Sequence, residues 1–197
     1  RYLSAMEKSW IRPTAFLLLS QALSLLGSSL VQYALLWYVT LQTGSGVMMT
    51  VYIVVGFLPT FFLSPFAGVW ADRYDRKKII MLSDGSIAFV TLGLAFLFWG
   101  GQEQLWAIFA AAGLRSVGTA AQGPAVGAVL PQMVPEDRLM RVNGIFSTIQ
   151  SAIGLGAPLL SGVLMTFAPL SVLFFVDVIT AALAISVLAF FVRIPPT

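Results

Sequence analysis

The sequence predicts an all-α polytopic membrane protein with six transmembrane helices, and three observations carry that prediction. Of its 197 residues, 58% are hydrophobic and 10% charged, with a mean hydropathy of +0.91, whereas soluble domains carry about 25% charged residues. Six apolar stretches, 14–40, 47–69, 79–100, 105–130, 142–166 and 170–192, each supply the roughly 20 helical residues that a hydrocarbon core of about 30 Å requires. All but one of the eleven Lys and Arg residues fall outside these stretches, and only on alternate connections, as the positive-inside rule expects of cytoplasmic loops.

Composition also excludes chemistry. There is no cysteine, so neither a disulfide framework nor a thiolate metal site is available. There is no histidine, which removes the commonest general base and metal ligand. A six-helix intramembrane serine protease needs a Ser–His pair, so an enzyme is not expected. No cofactor, metal or nucleic-acid partner is expected either; the lipid bilayer is.

Residues 1–13 form a short basic cytoplasmic lead without a small-residue cleavage site, unlike a signal peptide. In span one, Gln21, Ser24, Ser28 and Gln32 recur at spacings of three and four, which places them on one helix face. Polar side chains avoid lipid, so this face is expected to look inward. It reads equally as hydrogen-bonding glue between helices and as a cavity wall that also includes Tyr33. The outer connection Gln42–Gly46 carries no cation, and span two returns through Pro59 and Pro65 to Gly68.

Next comes the most charged segment, Gly68 to Ile80, read as an inner loop in which Arg73, Arg76, Lys77 and Lys78 outnumber Asp72 and Asp75. Span three runs out to Trp99, and the following outer connection holds Glu103. Span four returns to an inner loop, PEDRLMR, which supplies Arg138 and Arg141. Spans five and six lead to Arg193, where 193–197 begins a cytoplasmic linker. The tryptophans at 10, 37, 70, 99 and 106 fall near span ends, where amphipathic rings favour the interface. Both termini are expected in the cytoplasm.

Three ionisable residues lie within spans: Asp84, Arg115 and Asp177. A charge at a helix centre costs about 2.5 to 3.5 kcal/mol on insertion scales, so each needs a partner or a task. Arg115 sits roughly 15 Å into span four, on a face shared with Thr119 and Gln122. It reads as a site for an anionic group or a nearby carboxylate, or as a structural Arg capped by carbonyls. Asp84 and Asp177 occupy matching places near the starts of spans three and six. Those spans start on opposite sides, so the carboxylates are expected at opposite depths. Each is either a proton carrier or a salt-bridge anchor. Gln150 joins the candidate cavity residues, giving a mixed apolar and polar pocket.

The segment GVWADRYDRK resembles the loop signature G-x-L-A-D-R-x-G-R-K of the major facilitator superfamily, which joins helices two and three of those transporters. Gly68, Ala71, Asp72, Arg73, Arg76 and Lys77 match; Trp70 and Asp75 depart from it. With the RSVGTA run and the PEDRLMRVNG segment, the chain is most similar to the macrolide-efflux branch, over the first six of twelve helices.

The resemblance implies a fold of two inverted three-helix repeats, a property of this superfamily's six-helix half. Ser64, Pro65 and Gly68 in span two echo Ala157, Pro158 and Gly162 in span five. It further implies proton-coupled efflux of amphipathic drugs by alternating access, with helices one, two, four and five lining the cavity and three and six outside. Gly68, Asp72, Arg73, Arg76 and Lys77 would form a gating latch against a second six-helix half, on the same polypeptide or a homodimer partner. Arg115 matches the Arg of the coupling motif R-x-x-Q-G, whose Gln and Gly are not in place. The fifth-helix antiporter motif G-x8-G-x3-G-P-x2-G-G falls on Gly144, Ala157, Pro158, Ser161 and Gly162, with Ile153 departing, and implies a tight, kinked helix contact. The resemblance also implies a bacterial cytoplasmic membrane. Uptake, movement of a lipid-like solute, or a non-transporting scaffold subunit are the alternatives.

Overall fold

Helix ends explain the architecture. The computed structural model describes residues 9–101, 104–192 and 194; the expectations for Arg1, Lys8, Glu103, Arg193 and the final residues lie outside them. Six helices follow: α1 (Ile11–Thr43), α2 (Gly46–Arg73), α3 (Arg76–Trp99), α4 (Leu105–Met133), α5 (Glu136–Phe167) and α6 (Leu170–Phe191). α1 stops at Gly44, whose φ of 59° is the left-handed conformation glycine tolerates. Ser45 then caps α2 by accepting the Met48 amide at 3.3 Å.

The helices overrun the apolar stretches, and this corrects three expected loops: of Gln42–Gly46 only Gly44 and Ser45 lie between helices. Gly68 to Arg73 belongs to α2 and Arg76 to Ile80 to α3, so only Tyr74 and Asp75 connect them. Asp75 makes this tight junction workable, because its Oδ1 accepts the Lys77 amide at 3.1 Å and caps α3. Likewise PEDRLMR is mostly the first turns of α5, with Glu136 and Asp137 in its first turn, where carboxylates favour the positive end of the helix dipole. Hydropathy marks the part of a helix that meets hydrocarbon; the hydrogen-bond ladder continues past it.

Five of the six helices are long and apolar enough to cross a membrane by length and composition. The exception is α4, 29 residues long, which carries Arg115, Ser116, Thr119 and Gln122. It compensates by burial: Arg115 and Ser116 are both buried within the protein.

Neighbours in sequence are mostly not neighbours in space. α2 packs chiefly on α4, α1 on α6 and α5, and α3 on α4 and α6, whereas α1 and α2 touch lightly. Exchanging the first three helices for the last three maps α2·α4 onto α1·α5 and α1·α6 onto α3·α4. That is the pairing two inverted repeats produce. α2 and α5 are the flanking helices: α2 buries only Tyr52, Ala67 and Ala71, and α5 only Val142, Ala157 and Ser161, among the described residues.

The core has three layers. At the end carrying the α2–α3 junction, Leu17, Ile80, Val126, Val129, Leu188 and Val192 form one apolar cluster. At the opposite end, Val31, Leu35, Leu94, Ile108 and Phe174 form another, including an edge-on Phe98–Phe174 pair at 5.3 Å. Between them lies a buried polar layer of Ser20, Gln21, Ser24, Asp84, Thr91, Arg115, Ser116 and Asp177.

Candidate functional site: a polar cleft backed by two carboxylates

Two adjoining clefts open from the polar layer. One, of about 370 Å³, is lined from α1, α2 and α4 by residues including Ser28, Gln32, Tyr33, Tyr52, Phe57, Thr60, Arg115 and Thr119. The other, of about 190 Å³, runs between α1, α4 and α5 and is lined by Gln21, Ser24, Ser28, Gln32, Thr119, Gln122, Phe146 and Gln150, among others. Ser28, Gln32 and Thr119 belong to both. The structure therefore brings Gln21, Ser28, Gln32, Tyr33, Arg115, Gln122 and Gln150 to one continuous lining of mixed polar and apolar groups. α3 contributes only Ile87 to these linings and α6 nothing.

Neither carboxylate faces the clefts. Asp177 and Asp84 are each 1% exposed and stand one side chain behind the cleft wall. Arg115 Nη2 donates to Asp177 Oδ2 at 3.3 Å and to the Ser28 carbonyl at 3.1 Å. Thr91 Oγ1 donates to the same carboxylate oxygen at 3.0 Å, and Ser28 Oγ lies 3.4 Å from the other. Asp177 is thus the anchor of an ion pair that ties α4 to α6, with α1 and α3 joined through hydroxyls. Of the two readings of Arg115, carboxylate partner and carbonyl-capped cation, the geometry combines both.

Asp84 has no such cation. Its Oδ1 accepts from Ser24 Oγ at 2.5 Å and from Gln122 Nε2 at 2.7 Å, and Gln122 Nε2 also lies 2.8 Å from Gln21 Oε1. Its Oδ2 has no partner, nor do Gln21 Nε2 and Arg115 Nε. Along α4, Gln122 and Arg115 are seven residues apart, about 10 Å, so the two acids sit at different depths.

The gating residues divide into two groups. Arg76 Nε donates to the Ala71 carbonyl at 2.7 Å and Nη1 to that of Ala128 at 3.2 Å. Lys77 Nζ donates to the Val192 carbonyl at 2.6 Å, capping the end of α6, where cations favour the dipole. Both bind within the chain. Asp72 is exposed, with Arg76 Nη2 3.8 Å away, and Arg73 is exposed beside it. A Cβ on Gly68 would meet nothing within 4 Å, so no close contact there requires glycine.

The fifth-helix motif is likewise only partly a close contact. Ser161 Oγ, fully buried, donates to the Leu30 carbonyl at 2.8 Å, Ala157 is buried beside it, and Gly162 lies against Trp37 of α1. Gly144 faces open space, so the expected tight contact along the whole motif is confined to its second half. Pro158 lies inside α5, where it removes an amide donor.

Several site residues escaped the sequence reading. Thr60 and Ser116 link α2 to α4 through a hydroxyl pair at 2.7 Å and a Thr60 amide to Ser116 Oγ contact at 3.2 Å. Pro59, adjacent to Thr60, was the available signal, since it loosens the local ladder. Thr91 lies two turns from Asp84 on α3, a spacing that could have marked it.

A bundle of inverted three-helix repeats around a polar, carboxylate-backed cleft defines a polytopic helical transporter fold. Residues 17–197 match the Major Facilitator Superfamily, and the chain belongs to that family. It is 34% identical over 175 residues to Macrolide efflux protein A of Streptococcus pyogenes, covering 89% of this chain and 43% of that protein. Against Macrolide efflux protein A of Enterococcus faecalis it is 34% identical over 142 residues, 72% of this chain and 44% of the relative. Over 86 residues it is 30% identical to Lysophospholipid transporter LplT of Cronobacter sakazakii, 44% of this chain and 20% of that protein. The chain spans less than half the length of the curated relatives it matches. Family membership groups it with transporters, not enzymes, and with multi-pass membrane proteins.

Proposed function

We propose that this chain supplies the N-terminal six-helix half of a proton-coupled exporter of amphipathic drugs, macrolides among them, working by alternating access in a bacterial cytoplasmic membrane. The observation that carries the reading is the continuous cleft, lined by amides and hydroxyls together with Tyr33, Tyr52, Phe57 and Arg115, with buried acids behind it. Such a surface suits a large solute with scattered polar groups on an apolar frame. The similarity to macrolide-efflux proteins points the same way. A second half, covalent or supplied by a partner, would close the cleft against α2 and α5, the helices that bury least within this chain. Asp72 and Arg73, left exposed at the α2–α3 junction, are the residues free to latch onto it.

Orientation follows from charge. Among the described residues, Arg12, Arg73, Arg76, Lys77, Lys78, Arg138 and Arg141 lie at one end of the bundle, which the positive-inside rule assigns to the cytoplasm. The test is accumulation of a labelled macrolide in cells expressing the full-length protein. Lower accumulation that a protonophore abolishes is expected; accumulation equal to that of empty cells would refute export. A second reading, transport of a lipid-like solute, is favoured by the LplT similarity and would show instead as labelled lysophospholipid movement.

A further inference from the structure

The two buried acids are placed alike but partnered differently. Asp177 faces a guanidinium; Asp84, equally buried, meets only neutral donors, both on Oδ1, and its Oδ2 is bare. An ionised carboxylate with one unpartnered oxygen and no counter-charge is costly in a dry interior, whereas a neutral acid is far less so. Charged groups on the helices around α3 are few: Arg115 on α4 and Asp177 on α6, already paired with each other, and, at the junction end, Arg12 on α1 with Asp72 and Arg73 on α2. The titratable neighbours on α3 itself, Arg76, Lys77 and Lys78, lie in its first turn, about 10 Å along the helix from Asp84.

Access is the second observation. Ser24 both lines the smaller cleft and donates to Asp84 Oδ1 at 2.5 Å, and Gln21 and Gln122 line that cleft as well. A single layer of side chains, Ser24 and Gln122, therefore separates the carboxyl from the cleft.

We propose that Asp84 is a proton-exchange site, loaded from the cleft through the Ser24 hydroxyl, while the Arg115–Asp177 pair keeps its opposite charges throughout. In loading, a hydrated proton passes to Ser24 Oγ as the Ser24 proton passes to Asp84 Oδ1; one O–H bond forms and one breaks at Ser24, and the carboxylate becomes a neutral acid. Unloading is the reverse. This deepens the proton-coupled reading above and rests on it for its purpose, but its test does not depend on any drug.

The test is infrared difference spectroscopy on the full-length protein in liposomes, stepped between acidic and alkaline pH. The wild type is expected to show a carboxylic-acid C=O band from a buried group, shifted by exchange into D₂O, and Asp84→Asn to lose it. Gln122→Ala, which keeps the acid, is expected to shift the band by removing a donor, and Ser24→Ala to retain it but follow the pH step more slowly. A band that survives in Asp84→Asn, is missing from the wild type, or is insensitive to both Gln122→Ala and Ser24→Ala would overturn the assignment, as would its displacement by Na⁺ at constant pH. Protonophore-insensitive macrolide efflux with the band intact would instead remove the coupling reading and leave the site.

Discussion

Arg115 on α4 and Asp177 on α6 form a buried ion pair, Nη2 to Oδ2 at 3.3 Å, in the middle of the bundle, between its two apolar clusters. Through Ser28 and Thr91 it also reaches α1 and α3, so one pair of charges holds the four central helices in register. Removing one member strands the other in a dry layer. Arg115→Ala is therefore expected to destabilise the protein by about 3 to 5 kcal/mol, and Arg115→Ala/Asp177→Asn to recover part of that loss. Unfolding in detergent, followed by helix signal, measures both; a double variant no more stable than the single one would contradict the pairing.

Gly27 is where α1 meets α6. A Cβ there would collide with Thr180 Oγ1 and come within 3.1 Å of both Thr180 Cβ and Asp177 Oδ1. Overpacking of this kind costs about 1 to 3 kcal/mol, so Gly27→Ala is expected to lower the melting temperature and to impair transport through Asp177. Thr180→Ala in the same chain should restore much of the stability, because it removes the colliding hydroxyl. Gly68→Ala, at an open site, is expected to leave stability unchanged.

At the junction end, stability and function should separate. Asp72 is exposed and its contact with Arg76 is a surface pair, a class worth about 0 to 1 kcal/mol. Asp72→Asn is expected to fold and insert as the wild type does while losing efflux, because the carboxylate's proposed partner is the other half. Unchanged efflux would remove the latch assignment.

Ser161 Oγ bonds the Leu30 carbonyl across the α5–α1 contact. Hydrogen bonds between helices in membranes average about 0.6 kcal/mol, with values up to about 1.7. Ser161→Ala should cost about that much and leave the contact closed, whereas Ser161→Leu should force α5 from α1, detectable as a large drop in thermal stability.

These 197 residues hold no cysteine, so within them a single introduced cysteine reports sidedness. Lys78→Cys is expected to react only from the cytoplasmic side, and Phe167→Cys, 82% exposed at the opposite end, only from outside. The reverse pattern would invert the topology.

How much of this was legible in the sequence depended on range. Charge placement is one-dimensional, so the clustering of Arg73, Arg76, Lys77 and Lys78 at one end could be read directly. So could the polar face of Gln21, Ser24, Ser28 and Gln32, which needs only the period of one helix. The boundary of the charged junction was misjudged because Arg and Lys are good helix formers, and a carboxylate cap at Asp75 lets two helices meet with two residues between them.

By itself the sequence determined the class, the family signature and the segregation of cations, since each follows from hydropathy, composition or local spacing. Only the tertiary structure decided which buried acid has a counter-charge. Asp84 and Asp177 look alike in their own helices, and the difference between them is made by α1 and α4, which bring Arg115 to one and the neutral Ser24 and Gln122 to the other. That choice arises from how helices distant in sequence stack, and no local pattern encodes it, because the cost of a buried charge is set by what the neighbouring helices place against it.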